Sequence, residues 1–189
     1  GFTEILNYSF TSPAILNTFS TAAAESRIIL PNPVSADYSV MRDSLIPQMI
    51  ETMGYNHSHG NQTAALFEMG RVFFKDAKGV LSEEDRVCAS LMGFAGRRGT
   101  DSTRAVEPSE SLLWLKGVLE SLITKLHAPQ MRLEPAAIEG FDPGLSAKII
   151  IAGNAVGMGY LSQASRAASD VVYAWPGAVI SAVTPKIAA

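Results

Sequence analysis

Cys88 is the only cysteine in the chain, so no disulfide framework can form within it. It sits in Arg86-Val87-Cys88-Ala89-Ser90-Leu91-Met92, which alternates as a strand does, and it reads as a packed thiol rather than a nucleophile. A reducing, cytoplasmic setting fits this cysteine usage. Long apolar runs are also lacking: no run of about 18 uninterrupted apolar residues occurs, which argues against a membrane span. No signal peptide is visible. Nor is there an excess of positive charge. The net charge is −3, whereas nucleic-acid binders usually carry a strong basic surplus, so any contact with RNA would be local or made by another part of a larger assembly. Repeats, low-complexity segments and internal linkers are absent.

What the chain does have is apolar mass. Of its 189 residues, 47% are hydrophobic and 17% charged, the balance of a folded single domain over 1–189 with a sizeable core. The chain opens on Gly1 rather than Met, enters an alternating stretch almost at once and ends in "AVTPKIAA", so the expectation is a fragment of a longer protein.

Periodicity gives the elements. "ILNYSF" puts Leu6, Tyr8 and Phe10 on one face and predicts a strand with that face on a core. "TSP" opens a short helical or loop stretch through Phe19, and "RIIL" at 27–30 reads as a second strand. Pro31 and Pro33 bracket Asn32 and forbid a regular helix there. A helix is predicted from near Ser44, with Ile46, Met49, Ile50 and Met53 as its apolar stripe and Gly54 as its stop; "NHSHGNQ" follows as a polar loop. "ALFEMGRVFFK" is a strand, "DAKG" a hairpin turn, and 86–94 the returning strand. Leu112, Leu115, Leu119, Leu122 and Leu126 recur at steps of three and four, an amphipathic helix opened by Pro108 and Ser109, with Lys116 and Glu120 paired on its outer side. Gly153-Asn154 signals a hairpin between two strands, and "DVVYAWPGAVI" offers one more strand. Sheet runs with few helices between them favour an antiparallel α+β domain, a sheet flanked by helices.

Several residues invite a chemical reading. His57 and His59 have a spacing that suits the start of a metal site, but zinc needs more ligands and none lies nearby, so a solvated loop is the reading. "GFAGRRGTDSTR" at 93–104 combines glycines with Arg97, Arg98 and Arg104 and suits a phosphate or RNA backbone; it lacks the Lys-Ser/Thr ending of a P-loop. Glu68, inside a strand, is set to pair with Arg71 or Arg42.

Taken in order, "GFTEILNYSF", "NPVSADYSVMRDSLIPQMIETMGYN", "LFEMGRVFF", "LLWLKGVLESL", "FDPGLSAK" and "GNAVGMGYL" resemble the core domain of the phenylalanyl-tRNA synthetase beta chain of bacteria. The resemblance implies a class II aminoacyl-tRNA synthetase-like fold. It also implies membership of an alpha–beta heterotetramer that joins phenylalanine to tRNA with ATP and magnesium, the alpha chain holding the active site. The beta core would then be a structural, catalytically silent relative of that site, packed against the alpha chain, with no cofactor of its own.

Within the resemblance "GRVFFKD" is similar to the second class II motif, in which an Arg grips the α-phosphate of ATP through paired donors. Phe74 stands at that place. Strand alternation turns Arg71, and likewise Lys75, away from the face of Phe74. The glycine-rich third motif closing on Arg is not found. Asp142-Pro143-Gly144-Leu145-Ser146-Ala147 stands where the family usually reads His-Pro-Gly-Arg-Ser-Ala, and Ser162-Gln163 where it ends a hairpin in His-Pro. Two other readings remain open: an adenylate-forming enzyme domain that still binds ATP, and a small-molecule-binding relative of the same fold. For the alpha-chain contact, the expected segment runs from Asn32 to Met53. Asn32 and Pro33 would shape the loop, Met41, Met49 and Met53 supply apolar area, and Arg42 act as a charged anchor. The competing reading is that the methionines fill the core.

Overall fold

The computed structural model describes residues 1–20, 22–61, 63–92, 108–138, 146–163, 166–168, 171–173 and 176–183. Three stretches read from the sequence fall wholly or mostly outside them: the arginine-rich 93–104, the Pro-Gly turn at 142–145 and the end at 184–189.

The chain begins with two short strands, β1 (Thr3–Glu4) and β2 (Phe10–Thr11), and the helix α1 (Pro13–Phe19). Ser12 starts α1: its Oγ accepts from the Ile15 amide at 3.3 Å, and Pro13, which has no amide hydrogen to satisfy, fills the first turn. After β3 (Val40–Met41) comes α2 (Ile46–Ser58). This helix runs past Gly54, the expected stop. Its end comes at Gly60, which adopts φ +87° and donates to the His57 carbonyl, a left-handed cap that glycine enters without a Cβ penalty. The "NHSHG" stretch is therefore largely helix rather than loop.

The long hairpin β4 (Ala64–Lys75) and β5 (Leu81–Met92) follows. The expected turn is present. Asp76 Oδ1 accepts from the amides of Lys78 and Val80 at 2.8 and 2.9 Å, and Gly79 supplies φ +78°. Then come α3 (Pro108–Lys125), β6 (Met131–Pro135), β7 (Ser146–Ile151), β8 (Asn154–Gln163), β9 (Arg166–Ala168), β10 (Val171–Tyr173) and β11 (Pro176–Val183). The single strand expected over "DVVYAWPGAVI" is thus divided between β10 and β11. The first of these pairs with β9 and the second enters the main sheet.

That sheet has seven strands in the order β1-β4-β5-β11-β8-β7-β6. Every neighbour pair is antiparallel except β1 with β4. Apolar side chains fill both faces. On one, Ile15 and Phe19 of α1 and Ile46, Met49, Ile50 and Met53 of α2 pack with Val72, Cys88 and Met92. On the other, Leu115, Leu119 and Ile123 of α3 pack with Leu91, Met131 and Ile149. Side chains so fully excluded each contribute about 1.5–3 kcal/mol relative to exposure, enough to hold two helices on one face and one on the other.

Two expectations at the N-terminus are corrected. Leu6 and Tyr8 are 86% and 74% exposed, and Phe10 is partly so. Residues 5–9 form no strand, and their alternation is inverted, because Asn7 points inward to a buried carboxylate on β4. "RIIL" forms no named strand: a single bridge joins Ile29 to Val40, and Arg27 leaves the surface for a buried ion pair.

Candidate functional site

The β4–β5 hairpin sorts its side chains by alternation. Even-numbered residues of β4, Ala64, Leu66, Val72 and Phe74, turn toward α1 and α2, and Ala65 turns toward α3. Phe74, paired across the ladder with Ser82, is half-buried against the apolar cluster built around Met49 and Met53. Arg71 lies on the opposite face, where its guanidinium donates to Glu83 Oε1 at 3.0 Å and Asp85 Oδ1 at 3.3 Å on β5. All three side chains are more than half exposed, so these pairs add little stability. Lys75 is half-buried at the end of the strand. Phe74 itself brings no charge to its face of the hairpin; the arginine of β5 on that face, Arg86, is paired with Glu84 at 2.6 Å.

Beneath the same hairpin lies a polar node. Arg42 Nη1 donates to Glu68 Oε1 at 2.6 Å and to the Asn7 carbonyl at 3.3 Å, while its Nε donates to the Arg71 carbonyl at 2.8 Å. Asn7 closes the ring: its Nδ2 donates to Glu68 Oε2 at 2.8 Å and its amide to Oε1 at 3.3 Å. Backbone bonds on both sides of Arg42, from its amide to Ser9 and from Phe73 to its carbonyl, fix the segment in place. Both lone-pair sets of the carboxylate are occupied, the condition under which a buried ion pair is tolerable. Gly70 is required here, because a Cβ at that position would overlap the Arg42 guanidinium. A second buried pair, Arg27 Nε to Asp43 Oδ2 at 3.0 Å with Asn17 on Nη1, braces the neighbouring residue.

This geometry decides which residues of the Asn32–Met53 segment are accessible. Asn32 and Pro33 are exposed and Met41 is half-buried. Met49 and Met53 are fully excluded, and Arg42 is 3% exposed. The methionines of α2 therefore fill the core, and Arg42 is unavailable as a charged anchor because its donors are held by Glu68, Asn7 and the Arg71 carbonyl.

Of the two partners open to Glu68, Arg42 is the one it takes. Arg71 is three residues away on the same strand, an odd spacing that puts it on the other face. That signal was available in the sequence; nothing in it pointed to Asn7 or Gly70. His59 caps α2, its Nδ1 2.8 Å from the Tyr55 carbonyl and its ring stacked on Tyr55 at 4.0 Å. Among the described residues no three His, Cys, Asp or Glu side chains converge. Cys88 is wholly buried; burial above all, and then the Glu68 carboxylate across the ladder, push its thiol pKa up. A thiol so held is a poor nucleophile. Between the N-terminal segment and α2, a cleft of about 770 Å³ opens beside Tyr8, Tyr38 and Gln48; the alternation had assigned Tyr8 to the core, and it singled out neither Tyr38 nor Gln48.

With the geometry known, the relatives are informative. Over 168 residues, 87% of this chain, it is 32% identical to the "Phenylalanine--tRNA ligase beta subunit" of Syntrophus aciditrophicus. It is 32% identical over 160 residues to that of Bacillus cereus, and 30% over 173 residues to that of Listeria monocytogenes. The chain spans about a fifth of the length of these relatives. Among solved structures, pyrrolysyl-tRNA synthetase from Desulfitobacterium hafniense is similar in fold, with a TM-score of 0.70, 10% identity, and 96% of this chain and 60% of that one covered. The family profile described as "Phenylalanyl tRNA synthetase beta chain CLM domain" matches residues 1–172, and the chain belongs to that family.

Proposed function

We propose that this chain is a structural, catalytically silent domain of a phenylalanine–tRNA ligase beta subunit. It packs against an alpha subunit and supports the ATP-dependent charging of tRNA with phenylalanine without binding ATP or magnesium itself. The ligase as a whole is an enzyme of protein biosynthesis and works in the cytoplasm; no helix among the described residues is long and apolar enough to cross a membrane. One observation carries the reading. Where a class II site needs a guanidinium aimed at phosphate, Phe74 packs half-buried on an apolar cluster. A phenyl ring offers neither charge nor donor, and the nearest arginine on the strand, Arg71, is engaged on the opposite face.

The subunit contact falls on the exposed part of the Asn32–Met53 segment. Asn32, Pro33 and Val34 stand in solvent, with Val34 98% exposed, while Arg42, Met49 and Met53 are buried. Two measurements test the proposal. Calorimetric titration with ATP and magnesium is expected to give no saturable heat; a dissociation constant well below a millimolar would overturn catalytic silence. Co-expression with a phenylalanine–tRNA ligase alpha chain is expected to yield a complex, and Val34→Asp to weaken it while leaving the circular dichroism spectrum unchanged. If the parent chain fails to co-purify, the subunit role is lost.

A further inference from the structure

We infer that the cleft between the N-terminal segment and α2 receives a basic side chain, an arginine or a lysine, presented by a partner polypeptide. The inference rests on the reading of this chain as a subunit domain and names the chemistry by which a partner docks. Its volume, about 770 Å³, is within the range of preformed binding sites.

Three features of the wall point to a cation. The first is aromatic: Tyr8, 74% exposed, and Tyr38, 44% exposed, meet edge to face with centroids 6.1 Å apart. Two tyrosines held in this way offer ring faces to a guanidinium or ammonium. The second is charge. Asp37 lines the cleft, and among the described residues no Lys, Arg or His does.

The third is a buried acceptor. Gln48 is 7% exposed, and its Nε2 donates to the carbonyls of Tyr8 at 2.8 Å and Phe10 at 3.4 Å. Those two bonds fix the amide, since turning it over would set Oε1 against two carbonyl oxygens. Oε1 is left buried, with no partner among the described residues. A buried acceptor without a donor is costly, and a ligand bearing several N–H groups relieves that cost. An apolar plug would leave Oε1 and Asp37 dehydrated, and an anion would meet like charge. A guanidinium supplies donors in a planar fork and stacks on the tyrosines, so arginine fits best.

The probe is the tripeptide acetyl-Gly-Arg-Gly-amide, titrated into the ¹⁵N-labelled 189-residue chain and followed by NMR, with the same peptide carrying citrulline or leucine in place of arginine as controls. The arginine peptide should bind saturably, with a Kd on the order of a millimolar, and shift the side-chain amide of Gln48. The uncharged citrulline peptide should bind about fivefold more weakly, and Asp37→Asn should weaken the arginine peptide about threefold. Tyr38→Leu, at an exposed position, provides a second variant with the same expected direction. No saturation in the parent chain, equal affinity for citrulline, or tighter binding of leucine would overturn the inference. Failure of the titration with an intact alpha-chain complex removes the cleft's role alone. Saturable arginine binding with no alpha-chain complex keeps the cleft and removes the subunit reading.

Discussion

Arg42 and Glu68 meet at 2.6 Å with both side chains sealed from solvent, 4% and 0% exposed. The pair ties the loop before α2 to the middle of β4, and Asn7 ties the N-terminal segment to the same carboxylate. Removing one partner strands the other charge in the interior. Arg42→Ala or Glu68→Ala is therefore expected to cost about 3–5 kcal/mol, read by urea denaturation. Replacing both by apolar residues of similar volume, Arg42→Met with Glu68→Leu, should cost clearly less than either single change. Arg42→Glu would bury two carboxylates together and unfold the domain, so it cannot report on a subunit contact. If the single variants melt like the parent, the node is not closed in solution.

The described leucines along and just past α3 divide into two groups. Leu115 and Leu119 are buried, and the stripe continues through Ile123, whereas Leu113, Leu122 and, one residue past the helix, Leu126 are 66%, 43% and 41% exposed. Steps of four from Leu115 follow the side of the helix that meets the sheet. Leu115→Ala and Leu119→Ala should each lose about 2–5 kcal/mol. Leu122→Ala and Leu126→Ala should stay within about 0.5 kcal/mol of the parent. Equal losses at all four positions would mean that the helix is rotated from the orientation described.

These two regions show where sequence reading succeeds. A stripe or an alternation identifies an element, so α3 and the β4–β5 hairpin were legible, as was the turn anchored by Asp76. Period alone does not say which face is covered. At the N-terminus the alternation of Leu6, Tyr8 and Phe10 suggested an apolar inner face, and the structure turns Asn7 inward because Glu68 needs a donor there. Likewise Gly54 looked like a helix stop, yet α2 passes it and ends where Gly60 takes a positive φ. At the site, the apolar Phe74 was readable from its place in the strand. The burial of Arg42, Met49 and Met53 was not, because thioethers suit core and interface alike.

The β7–β8 turn carries a mismatch. Its two central residues, Ala152 and Gly153, have φ of 52° and 81°, the pattern of a type I′ hairpin. Gly153 enters this region freely, whereas Ala152 pays a steric penalty there; asparagine tolerates it better. Ala152 is exposed, so a larger side chain meets solvent. Ala152→Asn is expected to stabilise the domain by about 0.5–1 kcal/mol, measured as a higher midpoint in urea with an unchanged slope. A lower midpoint would show that the turn adopts another geometry.

Cys88 gives the domain an alkaline limit. Its thiol is fully buried, and desolvation, with Glu68 across the ladder as a smaller cause, raises its pKa well above the ordinary value. The folded chain thus holds the thiol proton more tightly than the unfolded chain does. The stability linked to this difference is whole below the unfolded thiol value of about 8.5 and is lost as pH rises from there toward the folded pKa. Lysine and tyrosine titrations also act at high pH, but they are common to the parent and to Cys88→Ala, so the difference between the two isolates the thiol. Melting temperatures taken from pH 7 to about 10.5 should fall more steeply for the parent than for the variant, the curves diverging above about 8.5. The same burial should make the thiol slow to react with maleimide at neutral pH, with modification limited by opening of the sheet. Parallel pH curves together with rapid labelling would show that Cys88 is solvated and that the β4–β5 interior is looser than the packing described.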